Sequence, residues 1–134
     1  MTRIESSKVN IAKSAQQLFE FLSDFNNYKA LMPENVANWE STKNDCSFSV
    51  SGMASFGMEI SDRISNEKIK IISTPKSPFR FELFFCLESD GDNSIAHVLF
   101  EADLNPMIKM MAEKPLANLF EHMVVQLKAH QEQV

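Results

Sequence analysis

The apolar residues near the start of the chain fall first at strand-like and then at helical spacing. Arg3 to Ile11 favours an edge or joining strand, since Val9 and Ile11 alternate with a polar residue. Ser14 follows as a helix N-cap, and Gln17 three residues later completes a capping-box pattern. The helix that begins there has its apolar positions at Ala15, Leu18, Phe19 and Leu22.

A second short helix is predicted over about 25–32, with Tyr28, Leu31 and Met32 as its apolar positions. Pro33 ends it, because the proline ring removes a backbone donor and disfavours helical backbone at the preceding residue. Two short helices therefore precede the long middle part of the chain.

From Val36 onward the apolar positions change to a period of two, the pattern of strands with one buried face. Turn-forming residues separate the strands at 44–45, 66–67 and 90–93, and a proline-containing loop occupies 74–78. Connections this short join antiparallel neighbours. The predicted strands are 36–43, 46–50, 56–61, 68–71, 79–88 and 96–103.

The last part of the chain has the pattern of one long amphipathic helix. Asn105 suits the N-cap and Pro106 the first turn. Pro115 lies inside the pattern, and we expect it to kink the helix or to divide a short Met-rich turn from the main helix. The apolar stripe consists of Leu116, Leu119, Phe120, Met123, Val124 and Leu127.

These elements predict an α+β fold in which a curved antiparallel sheet of about six to seven strands wraps around the C-terminal helix. Each strand has an apolar face that must be covered, and the final helix has the length and the apolar stripe to cover it. Because a twisted sheet curls, a gap is expected where sheet and helix diverge. A chain of 134 residues fits one domain, which we assign to residues 1–134.

This order of elements resembles the helix-grip fold of the START/Bet v 1-like (SRPBCC) superfamily. The local features that carry the resemblance are LMPENV at 31–36, FRFELFF at 79–85 and ADLNPMIKMMAEKPL at 102–116. The chain is most similar to the small bacterial polyketide cyclase/dehydrase-like members, although it contains no catalytic signature. The resemblance implies a cavity between sheet and helix that holds a lipid, sterol, polyketide or other apolar ligand.

Charge and composition limit the kinds of partner that the protein can bind. A net charge of −5 argues against nucleic acid and anionic membrane, which both favour a basic face. The apolar clusters fall short of the ~20 residues of a membrane span, and the first ten residues carry no signal-peptide core, so we expect a cytoplasmic protein. Cys46 and Cys86 lack zinc or redox spacing and are expected to be reduced packing residues. We expect no cofactor and no metal.

The expected ligand site is the apolar lining of the gap between sheet and helix. The chain has 11 Phe and 8 Met, side chains that supply large apolar area and adaptable shape. The alternative is that the same residues fill an ordinary core. The expected ligand-binding residues are Trp39, Phe48, Phe56, Met58, Phe81, Leu83, Phe85, Met107, Met111, Phe120 and Met123.

Polar residues near these positions are poorer candidates for chemistry, and none is assigned as catalytic. His97 could transfer protons, but alternation places it with Leu99 on the outer face of its strand. Arg63 is expected to form a surface ion pair with Glu59, Asp62 or another neighbour.

An apolar patch is expected on the outer face of the sheet at Phe84 and Cys86, opposite Phe81 and Phe85. Such a patch favours contact with a partner, including a second copy in a homodimer. Local cover by another strand or by the N-terminal helices is the alternative, and the sequence does not separate the two.

Three functions follow from these observations. The first is binding or carriage of a small apolar molecule, which requires a pocket lined by Phe and Met. The second is a polyketide cyclase/dehydratase-like enzyme, which requires at least two ionisable groups directed into the same pocket. The third is a co-chaperone-like protein-interaction domain, which requires an exposed patch and a filled, dry interior. We rank ligand binding first, because the charged strand positions alternate outward.

Overall fold

The computed structural model describes residues 1–132, in eight strands, two α-helices and one 3₁₀ helix. The helices are α1 (Ala15–Leu22), the 3₁₀ helix (Phe25–Leu31) and α2 (Pro106–Gln131). The strands are β1 (Thr2–Glu5), β2 (Val9–Ile11), β3 (Val36–Ser41), β4 (Asp45–Val50), β5 (Ala54–Ile64), β6 (Lys68–Ser73), β7 (Glu82–Asp90) and β8 (Asn93–Ala102).

All strands join one antiparallel sheet with the order β1-β8-β7-β6-β5-β4-β3, and β2 also pairs with β8. The strand predicted over 3–11 is therefore two short strands along the same edge. Ser6 lies at the break, where its backbone N–H donates to the Val98 carbonyl at 2.9 Å. Its hydroxyl accepts from the Val98 N–H at 2.8 Å, so a side chain replaces one bond of the ladder.

The buried face of the sheet follows the predicted alternation and contacts α2. In β8 the residues Ala96, Val98, Phe100 and Ala102 are buried, and their neighbours are half-buried. Leu116, Phe120 and the rest of the predicted stripe on α2 are buried in the same core. The predicted α+β class, with a curved antiparallel sheet around a long C-terminal helix, is confirmed.

The N-cap residues predicted for both α-helices are confirmed. The Ser14 hydroxyl accepts from the Gln17 N–H at 3.2 Å, and the Gln17 side chain accepts from the Ser14 N–H at 3.1 Å. The Asn105 side chain accepts from the Ile108 N–H at 2.9 Å. Each bond satisfies a backbone donor that the first helical turn leaves without a partner.

The structure also differs from the sequence predictions at Pro115 and at the last hairpin. Of the two outcomes expected for Pro115, division of the last helix is wrong, because α2 runs without interruption through this exposed residue. Ala112 before Pro115 and the apolar stripe after it are buried, and this burial outweighs the one helical hydrogen bond that proline cannot make. The last predicted β-hairpin begins later than expected, since β7 starts at Glu82 rather than Phe79.

None of the helices within residues 1–132 combines the length and the apolar character that crossing a bilayer requires.

Candidate functional site

A small apolar cavity lies where the concave face of the sheet meets α2. Its volume is about 20 Å³. All of its lining residues are apolar, and they come from the segment after the 3₁₀ helix, from β4 and β5, from β7 and the residue before it, from β8, and from α2. They are Met32, Phe48, Phe56, Met58, Phe81, Leu83, Phe100, Leu116, Leu119, Phe120 and Met123.

The two-residue period of the strands and the turn spacing of α2 bring these side chains to the same place. Phe56 and Met58 are two residues apart on β5, so both face inward. On α2 the lining residues are spaced by three or four, which places them on one side of the helix. These four residues are Leu116, Leu119, Phe120 and Met123.

Aromatic rings connect one edge of the sheet to the helix in a continuous series. Trp39 on β3 stacks on Phe48 with 5.4 Å between ring centroids, and Phe48 stacks on Phe56 at 5.7 Å. Phe56 is 6.2 Å from Phe81. The series continues from Phe81 to Phe100 at 5.4 Å and from Phe100 to Phe120 at 5.3 Å. These separations are typical of favourable aromatic pairs.

The cavity is far smaller than an ordinary ligand pocket. Pockets for drug-sized molecules measure about 300–1,000 Å³, whereas the present volume of about 20 Å³ is close to that of one water molecule. A water there would find no hydrogen-bond partner on the lining side chains, so the space favours an apolar occupant. A guest larger than a few atoms therefore requires the lining side chains to move.

Seven of the eleven expected site residues line this cavity, and four lie elsewhere. Phe85 is fully buried but packs edge-on against Tyr28, with 6.2 Å between centroids. Trp39 lies one ring beyond the lining. Met107 and Met111 are 73% and 69% exposed, because they lie on the side of α2 that faces away from the core, whereas Ala112 beside Met111 is 2% exposed. The seven lining residues are Phe48, Phe56, Met58, Phe81, Leu83, Phe120 and Met123.

Four lining residues were not among the expected site residues, namely Met32, Phe100, Leu116 and Leu119. The predicted stripe on α2 already included both leucines, and strand alternation already placed Phe100 on an inner face. Their contact with the cavity depends on how the helix crosses the sheet. Met32 was predicted as an apolar position of the second short helix, but that helix ends at Leu31 and Met32 follows it in extended backbone.

The exposed methionines form a second apolar feature. We call Met107, Met110 and Met111 the Met surface, and Met110 is 85% exposed. Beside it lies a groove of about 140 Å³, lined by Met53, Ala54, Pro78, Phe79, Ile108, Met111 and Ala112. The Met surface and the cavity lie on neighbouring turns of the same helix.

The histidine considered for proton transfer lies on the outer face, as alternation predicts. His97 Nε2 is 3.9 Å from Glu5 Oε2. Partial burial lowers the pKa of His97, and the positive charge of Lys8 lowers it further, while Glu5 opposes the shift. His97 does not line the cavity.

Arg63 does not form the expected ion pair with Glu59 or Asp62. Its Nη2 donates to the Ser23 carbonyl at 2.7 Å and to Asn44 Oδ1 at 2.6 Å. The guanidinium therefore binds neutral oxygens from the end of α1 and from the β3–β4 turn, and it borders an open polar cleft of about 490 Å³.

The two cysteines are both free. Burial raises the pKa of Cys46 to about 12 and also raises that of Cys86, so both thiols are held in the protonated, weakly reactive form. On the outer face, Phe84 is half-buried and the Lys68 ammonium lies 5.5 Å from its ring centroid. A cation thus borders the apolar patch that was expected there.

Comparison with solved structures places this chain in a well-populated fold. A START superfamily protein from Mycobacterium smegmatis matches with a TM-score of 0.71 and 21% identity, over 98% of this chain and 97% of that chain. The Aha1 protein of Colwellia psychrerythraea, solved as a dimer, matches with a TM-score of 0.71 and 15% identity, over 98% and 97%. XoxI from Bacillus cereus matches with a TM-score of 0.77 and 9% identity, over 98% and 96%.

No protein-family model matches the sequence, and no curated protein does. At identities this low the structural matches show the fold. The helix-grip, START-like fold that the sequence resemblance implied is therefore confirmed.

Proposed function

We propose that this chain, which has the START-like helix-grip fold, binds a small apolar molecule between its sheet and α2. The observation that carries the proposal is the lining of the cavity, where all eleven side chains are apolar. An apolar guest would make dispersion contacts with side chains of both the sheet and the helix, contacts that the empty space forfeits. The same lining favours a guest of low polarity over one that carries a charge.

The volume of the cavity sets the size of the guest and the way it enters. Three of the lining residues are methionines, whose three rotatable bonds and polarizable sulfur adapt to irregular shapes. Met123 and Met58 are 1% and 3% exposed, and both share the cavity lining with phenylalanines. We propose that these side chains turn aside to admit a molecule of roughly one aromatic ring. A long lipid would require much larger movements of the sheet or the helix.

The geometry gives the enzymatic alternative less support. Acid–base catalysis of ring closure or dehydration needs titratable groups beside the reacting atoms. The eleven residues of the lining include none. His97 and Arg63, the polar candidates from the sequence, lie on the outer face and beside a separate polar cleft.

A second candidate function is protein interaction, and one observation favours it. The interior is nearly filled, while Met107, Met110 and Met111 are all more than two-thirds exposed. Methionine-rich surfaces suit partners of variable shape, because the side chains can repack. A second copy of the chain is one such partner, and a dimer would appear as a concentration-dependent mass in sedimentation equilibrium.

Calorimetric titration with isopropylbenzene, a compact apolar probe, separates these candidates. We expect saturable binding of one molecule per chain. Leu116→Phe should weaken it at least tenfold, because the added atoms occupy the cavity that Leu116 borders. The matched control is Val125→Phe on the same helix, where the residue is 48% exposed and the added ring faces solvent.

Equal affinity in both variants would contradict the site, and absence of saturable binding in the parent protein would contradict the function. Loss of binding in Met111→Ser with retention in Leu116→Phe would instead place the probe on the Met surface. That result would favour the interaction candidate.

A further inference from the structure

One buried polar atom, on a ring that lies one residue beyond the cavity lining, has no hydrogen-bond partner. Within residues 1–132 three buried side-chain atoms lack a partner: Trp39 Nε1, Arg63 Nε and Thr74 Oγ1. Arg63 is held by a hydrogen bond from its Nη2, and Thr74 lies against Gly57 on the face of the sheet opposite the cavity-lining Phe56 and Met58. Trp39 is the one of the three whose ring stacks on a residue of the cavity lining.

The position of Trp39 continues the cavity lining by one ring. The Trp39 and Phe48 rings are 5.4 Å apart and inclined by 24°, and Phe48 stacks on Phe56 at 5.7 Å and 21°. Phe48 and Phe56 both line the cavity. A guest that displaces the Phe48 ring would therefore reach the Trp39 indole next.

The backbone of β3 is distorted at this point. The register with β4 shifts between Ala37 and Glu40, so one extra residue lies on the β3 side. Asn38, directly before Trp39, has φ +56°, in the left-handed region that few residues other than glycine adopt. Bulges of this kind re-aim a side chain and occur frequently beside functional sites.

We infer that the natural guest carries one acceptor oxygen, a carbonyl or hydroxyl group, on an otherwise apolar frame, and that Trp39 Nε1 donates to it. The inference rests on the proposed function and narrows the class of ligand from hydrocarbons to apolar ketones, esters or alcohols. The indole N–H is a donor and never an acceptor, so the guest must supply the oxygen. A buried donor left without a partner is unfavourable, and such a guest removes that penalty.

A pair of probes with similar shape tests this inference. Acetophenone has a carbonyl oxygen where isopropylbenzene has a methyl group. Trp39 is the only tryptophan in the chain, so its indole N–H gives a single resonance in a ¹H–¹⁵N correlation spectrum. We expect saturating acetophenone to move that proton downfield, the direction of a new hydrogen bond, and isopropylbenzene to cause no such downfield move.

Affinity provides a second readout. Trp39→Phe keeps a stacked ring and removes the hydrogen-bond donor. It should weaken the affinity for acetophenone roughly fivefold and leave the affinity for isopropylbenzene within about twofold of that of the parent protein. Suppose that both probes bind the parent protein, that the indole proton does not move, and that Trp39→Phe leaves the ratio of the two affinities unchanged. The inference is then wrong, and the proposed function stands. If neither probe binds the parent protein, the proposed function fails and this inference fails with it.

Discussion

Removing the Phe120 ring tests whether the space between sheet and helix accepts a guest. Phe120 is 3% exposed, lines the cavity and lies 5.3 Å from the Phe100 ring. Phe→Ala substitutions in a core cost about 3–5 kcal/mol of unfolding free energy, since the neighbours close the new space only in part. For 134 residues, each kcal/mol corresponds to ~3–4 °C in the melting temperature. Phe120→Ala should therefore melt about 10–20 °C lower than the parent protein.

Adding isopropylbenzene should reverse part of this loss. The enlarged cavity keeps apolar walls, so the probe should bind the folded variant and not the unfolded chain. At a free concentration one hundred times its dissociation constant, the probe contributes about 2.7 kcal/mol, or roughly 8–10 °C. Differential scanning calorimetry with and without the probe measures both effects.

The matched control is Phe84→Ala on the outer face of the sheet. Phe84 is half-buried, so its loss should cost about 1–2 kcal/mol. Because Phe84→Ala keeps the native cavity, the probe should stabilise it only as much as it stabilises the parent protein, and less than it stabilises Phe120→Ala at the same concentration. The reasoning is refuted if Phe120→Ala costs no more than Phe84→Ala. It is also refuted if isopropylbenzene stabilises the two variants equally.

Three further predictions concern local features of the fold. Pro115→Ala should raise the unfolding free energy, measured by urea denaturation, by up to about 3 kcal/mol, because an exposed proline inside α2 lacks a helical hydrogen bond. A lower unfolding free energy in the variant would contradict this. Gly57→Ala should lower it by about 1–3 kcal/mol, since the new Cβ would overlap Thr74 Oγ1, and unchanged stability would count against that crowding. Because the pKa of His97 is lowered from 6.5 in the folded protein, the folded state binds fewer protons than the unfolded chain, and the unfolding free energy should fall as the pH drops below 6.5. His97→Gln should make this pH dependence shallower, and equal slopes for the variant and the parent protein would refute the prediction.

The fold was predictable where local chemistry and periodicity agree. Ser14 and Asn105 are side-chain caps whose bonds are made within three residues, so the chain nearby determines them. The alternation of buried and half-buried residues in β8 likewise follows from a strand that has one face against the core. The break at Ser6 was not predictable, because its hydroxyl accepts a hydrogen bond from Val98, ninety-two residues away.

The candidate site was predictable in composition and less so in extent. Alternation placed Phe56 and Phe81 on inner faces, and both line the cavity. Met107 and Met111 continue the helical pattern, but they lie on the solvent-facing side of their turns of α2. Which side of a helix is covered depends on how the helix crosses the sheet, and that is a tertiary property. Cavity volume depends on side-chain packing to within a methyl group, which periodicity does not determine.

Methionine methyl groups offer the most direct test of where a guest binds. The chain has eight methionines, three on the cavity and three on the Met surface, so ¹³C-methyl spectra report both places in one titration. With isopropylbenzene, the ligand-binding account predicts saturable shifts at Met32, Met58 and Met123 and unchanged signals from the Met surface. Shifts confined to the Met surface, with the three cavity methyls unmoved at saturation, would contradict it.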